Sequence, residues 1–157
     1  MSGIAVGVDG SDHSRRALSW AIREAERRDA PLTVLTVHPD PVRPATGIFW
    51  AVPEHQESRT DLEVARERVR DWVDKVVSDT GATVPEVRVT VVTGDPAVQL
   101  IMASHDADLI VVGCRGGGPV TQHLMGSVSR KVAHHAACPV VVIPAADPRL
   151  PGPEQQG

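Results

Sequence analysis

Residues 107–116 read ADLIVVGCRG, and residues 126–144 read GSVSRKVAHHAACPVVVIP. The first stretch is a short apolar run, Leu109 to Val112, that ends at Gly113 and a glycine-rich turn. The second opens on Gly126-Ser127, continues with a helical pattern to about His135, and returns to an apolar run from Val140 to Ile143. Strand, turn, helix and strand in that order describe one parallel crossover unit.

The same alternation extends back to the N-terminus. Ile4 to Val8 reads as a buried first strand. Ala17, Leu18, Ala21, Ile22 and Ala25 make a helical stripe within Ser14 to Arg28. Leu32 to Val37 is a second strand, followed by a loop from His38 to Glu57 that holds four prolines and the apolar patch Ile48-Phe49-Trp50. A helix starts near Thr60, where Glu63 completes a capping box, and its apolar face is Leu62, Ala65, Val69, Trp72, Val73 and Val76. Val87 to Val92 is a third strand, and Asp95-Pro96 an N-cap followed by proline at the first helical position. That helix runs to about His105. The tail from Ala145 to Gly157, rich in proline, glycine and glutamine, is expected to be disordered. The expectation is one α/β domain over residues 1–144, a parallel sheet with helices on both faces. Such sheets bind ligands beyond the carboxyl ends of their strands, where the strand order reverses.

Composition narrows the function classes. The chain has 157 residues, 41% hydrophobic and 23% charged, with net charge -4. Arg27-Arg28 and Arg66, Arg68 and Arg70 lie among acids on helices, so they read as solvated faces and no nucleic-acid partner is expected. The two cysteines, Cys114 and Cys138, form no paired framework, which fits a reducing compartment. The N-terminus lacks the basic region of a secretory signal, and no apolar stretch approaches the ~20 residues of a membrane span. A soluble cytoplasmic protein without a membrane partner is expected. The seven histidines show no zinc-ligand spacing, and no metal site on protein side chains is expected.

The chemistry concentrates in the turn after the fourth strand. Its glycines allow close backbone approach to a ligand. The helix opening at Ser127 offers N–H groups and a dipole that attract anions, and Arg115 adds a fixed positive charge. These parts suit a polyphosphate, although a flexible loop beside an ordinary helix cap would carry the same letters. There is no Gly-Lys pair, so no Walker A loop. The first turn, Gly7-Val-Asp-Gly10, is no GxGxxG fingerprint either.

The spacing Gly113-x2-Gly116-x9-Gly126-Ser127 resembles the nucleotide loop of the ATP-binding universal stress proteins. The resemblance spans Ile4 to Pro144 and includes AVGVDGSDHSRRAL at 5–18 and VVTGDPAVQLI at 91–101. It implies a Rossmann-like fold with five strands in the order 3-2-1-4-5. It also implies bound ATP, with or without Mg²⁺, and a homodimer paired through strand 140–143. Phosphate and ribose contacts are implied for Gly113, Cys114, Arg115, Gly116, Gly126, Ser127, Val128 and Ser129. Asp9 and Gly10 match the acidic end of strand 1, Val37 the strand that lines the adenine pocket, and Gly94 the loop beside it. Cys114 stands where the family has a small hydroxyl residue, and as a loop thiol it is a candidate for oxidation. A carboxylate at Asp9 repels phosphates but accepts hydrogen bonds from ribose or base, so the nucleoside is expected near strand 1 and the phosphates at the strand-4 loop.

Four functions remain on these grounds: a nucleotide-dependent regulatory protein of stress survival, a slow ATPase, a dimer module stabilised by its ligand, and a binder of another adenine nucleotide such as cyclic AMP. No catalytic residue is assigned. Residues 109–146 contain no Asp or Glu, and His123 is the nearest candidate base.

Overall fold

The inner strands of the sheet bury both faces, because helices cover it from both sides. The computed structural model describes residues 3–38, 59–114 and 125–144. The elements are β1 (Ile4–Val8), α1 (Asp12–Arg28), β2 (Leu32–His38), α2 (Arg59–Thr80), β3 (Val87–Thr93), α3 (Pro96–Ala103), β4 (Leu109–Gly113), α4 (Ser127–His135) and β5 (Val140–Ile143). All four strand pairings are parallel, and the order is β3-β2-β1-β4-β5. This is the Rossmann-like α/β arrangement expected from the alternation and the resemblance.

Strand alternation sorts the side chains into two layers. On one face, Ile4, Val6 and Val8 of β1 and Leu32 and Val34 of β2 pack with Leu18 and Ile22 of α1 and Val69, Val73 and Val76 of α2. On the other, Ala5, Leu35, Ile110 and Val112 pack with Ala97 and Leu100 of α3 and Val132 of α4. Trp20 and Trp72 are partly buried against the first layer. β5 is an edge strand whose four residues are all half-buried.

Two helix starts differ from the sequence expectation. Ser11 caps α1 by accepting from Ser14 N–H, so the helix begins at Asp12, before Ser14. α2 already includes Arg59 and Thr60, so Thr60 lies inside the helix and is not its cap. At α3, Asp95 Oδ1 accepts from Val98 N–H at 3.1 Å with Pro96 following, as the Asp-Pro pair predicts.

Candidate functional site

β1 reverses the order of connection, with β2 on one side and β4 on the other. Beyond their carboxyl ends lies a cleft of about 430 Å³. β1 contributes Gly7 and Val8, with Asp9 just beyond its end, β2 contributes Leu35 and Val37, and β4 contributes Val112 and Gly113. The first turns of three helices complete it: His13 and Ser14 of α1, Asp95 and Pro96 at α3, and Gly126 to Ser129 at α4.

Asp9 sits in the middle of this arrangement. Its Oδ1 accepts from Ser11 N–H at 3.0 Å and from the Ser11 hydroxyl. His13 Nε2 lies 3.6 Å from Oδ2, and both side chains keep about a quarter of their surface exposed, 27% for His13 and 24% for Asp9. Burial raises the pKa of the Asp9 carboxyl. Hydrogen bonds from the Ser11 side chain and backbone and from the Ser14 side chain, with the His13 charge, outweigh burial and hold it below its ordinary value. Asp9 is therefore ionised at neutral pH and at the same time shapes the turn that starts α1.

Gly113 and Gly126 are glycine for different reasons. A Cβ on Gly113 would lie 2.7 Å from the backbone oxygen of His13 and 3.1 Å from its carbonyl carbon. The end of β4 is packed directly on the first turn of α1, and only glycine fits. Gly126, the N-cap of α4, has φ -65° and ψ 166°, which any residue adopts. Among the described residues a Cβ there would meet only Ser129 Oγ, at an ordinary 3.7 Å. Ser, Thr, Asp and Asn are the favoured N-cap residues. Here no side chain caps the helix, its first turn holds no acid, and Ser129 Oγ instead donates to Gly126 O at 3.1 Å. The first turn of α4 thus lines the cleft, and among the described residues no side chain caps its first N–H groups.

Seven of the sequence-derived positions line the cleft: Asp9, Val37, Gly113, Gly126, Ser127, Val128 and Ser129. Gly10 and Gly94 are not among the lining residues. Their φ angles of 81° and 121° explain them as backbone turns. Cys114 is 7% exposed and does not line the cleft; burial pushes its thiol pKa up, the opposite of an activated thiolate. Arg115, Gly116, the Gly117-Gly118-Pro119 run and His123 lie outside the described residues, as do Ile48-Phe49-Trp50 and the tail from Ala145. Sequence reasoning missed His13 and Asp95. The spacing Asp9-x3-His13 signals a one-turn pair once α1 is known to begin at Asp12. Asp95 brings a second carboxylate to a cleft expected to hold only Asp9.

The family model of the universal stress protein family matches residues 1–144. The chain belongs to this family. A universal stress protein of Mycobacterium tuberculosis is 38% identical over 156 residues, covering 98% of this chain and 51% of the relative. The chain thus spans about half the length of the curated relatives it matches. Among solved structures, a universal stress protein in complex with cAMP aligns with TM-score 0.65 at 25% identity, over 91% of this chain and 96% of that one. The universal stress protein of Archaeoglobus fulgidus in complex with dAMP aligns with TM-score 0.60 at 26% identity, over 91% of this chain and 98% of that one. No described helix is long and apolar enough to cross a membrane.

Proposed function

We propose that the protein binds an adenine nucleotide, ATP, in the cleft and acts as a nucleotide-dependent regulatory protein. The observation that carries this reading is Gly126. Neither backbone conformation nor packing among the described residues calls for glycine there, and among those residues no side chain caps the N–H groups of α4. A helix N-terminus with free donors and no acid in its first turn is a ready anion site. The phosphates are assigned to Gly126, Ser127, Val128 and Ser129, with Gly113 beside them. Arg115 and Gly116 join this set on the sequence spacing. The base is assigned to the β2 side, against Val37, and Asp9 to the sugar between.

The complexes of similar proteins with cAMP and dAMP support an adenine ligand and favour a second reading, in which the resident ligand carries one phosphate. Among the described residues, no three His, Cys, Asp or Glu side chains converge on a metal position. Mg²⁺ is assigned as a companion of the phosphates, keeping most of its waters, with the Ser127 hydroxyl as a candidate contact. β5 is assigned as the pairing strand of a homodimer, because an apolar edge is a template for another strand.

The test is direct. The protein purified without added nucleotide is denatured, and the released small molecules are separated by chromatography. ATP in near-stoichiometric amount supports the assignment, and cyclic AMP or AMP replaces it with the one-phosphate reading. An empty protein that also fails to bind any of the three in calorimetry refutes it.

A further inference from the structure

The sheet order gives the cleft two chemically distinct ends. Toward β4 lie Gly113 and the bare start of α4. Toward β2 and β3 the wall is apolar, built from Leu35, Val37, Pro96 and Leu100. Among the described residues that line that side, the charged one is Asp95, whose position is fixed from three directions. Gly94 N–H, one residue before it, donates to His38 O at 3.1 Å and ties the turn to the end of β2. Gln99 N–H donates to Asp95 O at 3.1 Å. Val98 N–H donates to Asp95 Oδ1 at 3.1 Å. The cap uses one carboxylate oxygen, Oδ1, and among the described residues no hydrogen bond engages Oδ2. A fixed acceptor at the rim of an apolar wall is the usual construction for reading the edge of a flat ring.

We infer that Asp95 selects the base by accepting a hydrogen bond from its exocyclic amine through Oδ2 while Oδ1 keeps the α3 cap. This rests on the nucleotide reading of the cleft and goes beyond it, since it names the group that distinguishes a 6-amino purine from other purines. Asp95 follows β3 and α4 follows β4, with β2 and β1 between those strands in the sheet order.

The cap makes a clean test possible. Asn is as good an N-cap as Asp. Asp95→Asn leaves an oxygen for Val98 N–H and turns an NH₂ donor toward the cleft in place of the second acceptor. Calorimetry compares ATP, purine riboside triphosphate (no substituent at position 6) and inosine triphosphate (an oxygen there). In the wild-type protein ATP should bind about tenfold more tightly than purine riboside triphosphate, the low end for a hydrogen bond to a charged group, because Asp95 is exposed. In Asp95→Asn that preference should vanish and inosine triphosphate should gain relative to ATP. Asp95→Ser, a cap with no second acceptor, should lose the preference without the reversal. Equal ATP preference in wild type and Asp95→Asn, with ATP still bound, overturns the inference and leaves the nucleotide site standing. Failure of all three nucleotides to bind wild type overturns both.

Discussion

Gly126→Asp separates the ligand role of this glycine from a structural one. Asp is a favoured N-cap, and glycine there is worse by only a few tenths of a kcal/mol. A carboxylate at a helix N-terminus adds about 0.3–1 kcal/mol through the dipole. Among the described residues the new Cβ meets nothing closer than Ser129 Oγ at 3.7 Å, so no contact there offsets these gains. The variant should be as stable as wild type or slightly more so, with a Tm raised by roughly 0–4 °C for a domain of this size. The effect on binding has the opposite sign. A negative charge about 4 Å from a phosphate costs ~1 kcal/mol at the dielectric of water and ~4 kcal/mol at the effective value near a protein surface. The cleft is open on one side, so the loss should fall between those limits, about 5-fold to 1,000-fold in Kd. Calorimetric titration with ATP, beside a thermal scan, measures both numbers. Gly126→Ala serves as the uncharged control and should weaken binding less. A Gly126→Asp protein that is stable and binds ATP with wild-type affinity would refute the placement of phosphate on α4.

Gly113→Ala should behave in the reverse manner. Its Cβ would press into backbone at His13, so Tm should fall by about 2–10 °C from overpacking of ~1–3 kcal/mol, and an unchanged Tm would show that β4 and α1 are not locked together. Glu24 tests the pH dependence. Hydrogen bonds from Arg27 and then Arg28 hold its carboxyl below the ordinary 4.5 against an opposing effect of burial. A depressed folded-state pKa gives stability that is full above the ordinary value and is lost as pH falls through the folded one. Glu24→Gln should therefore lower Tm by about 1–3 °C at pH 7, with the gap to wild type closing below about pH 4. A gap that persists in acid would assign the loss to packing. Light scattering at tens of micromolar should give a dimer mass, and a monomer with and without ATP would reject pairing through β5. Single-turnover measurement with Mg²⁺ should show ATP hydrolysis far below the enzyme median of about 10 per second. A rate near that median, lost in His13→Ala with ATP binding retained, would make the protein an ATPase.

The parallel architecture was legible because each strand is an apolar run and each helix a 3.6-residue stripe, patterns that local sequence carries. The strand order was not local information; it came with the resemblance, and registers such as Ile4 against both Leu32 and Leu109 express it. The start of α1 was misplaced because the apolar stripe begins only at Ala17, whereas the helix is started by Ser11, which Asp9 holds by its N–H and hydroxyl. The two glycines of the nucleotide loop look alike as letters. Only the distance from Gly113 to the His13 backbone shows that one of them is structural.

Asp95 shows why half of the site was invisible. The Asp-Pro pair is fully explained by the cap it makes, so nothing local asks for a second role. What brings it to the cleft is the pairing of β3 with β2, with His38 opposite Thr93, two residues before Asp95. With Asp95 added, the charge pattern of the cleft becomes directional. Carboxylates stand at the ends of β1 and β3, and the first turn of α4 beyond β4 holds none. A polyphosphate placed toward β3 would face Asp95, and one placed at β1 would face an Asp9 held ionised by its own hydrogen bonds. Toward α4 it meets N–H groups that no described side chain caps and the positive end of a dipole. The acids thus favour, for a bound polyphosphate, the orientation that Asp9 alone suggests from the sequence, with Asp95 as a second constraint in the same direction.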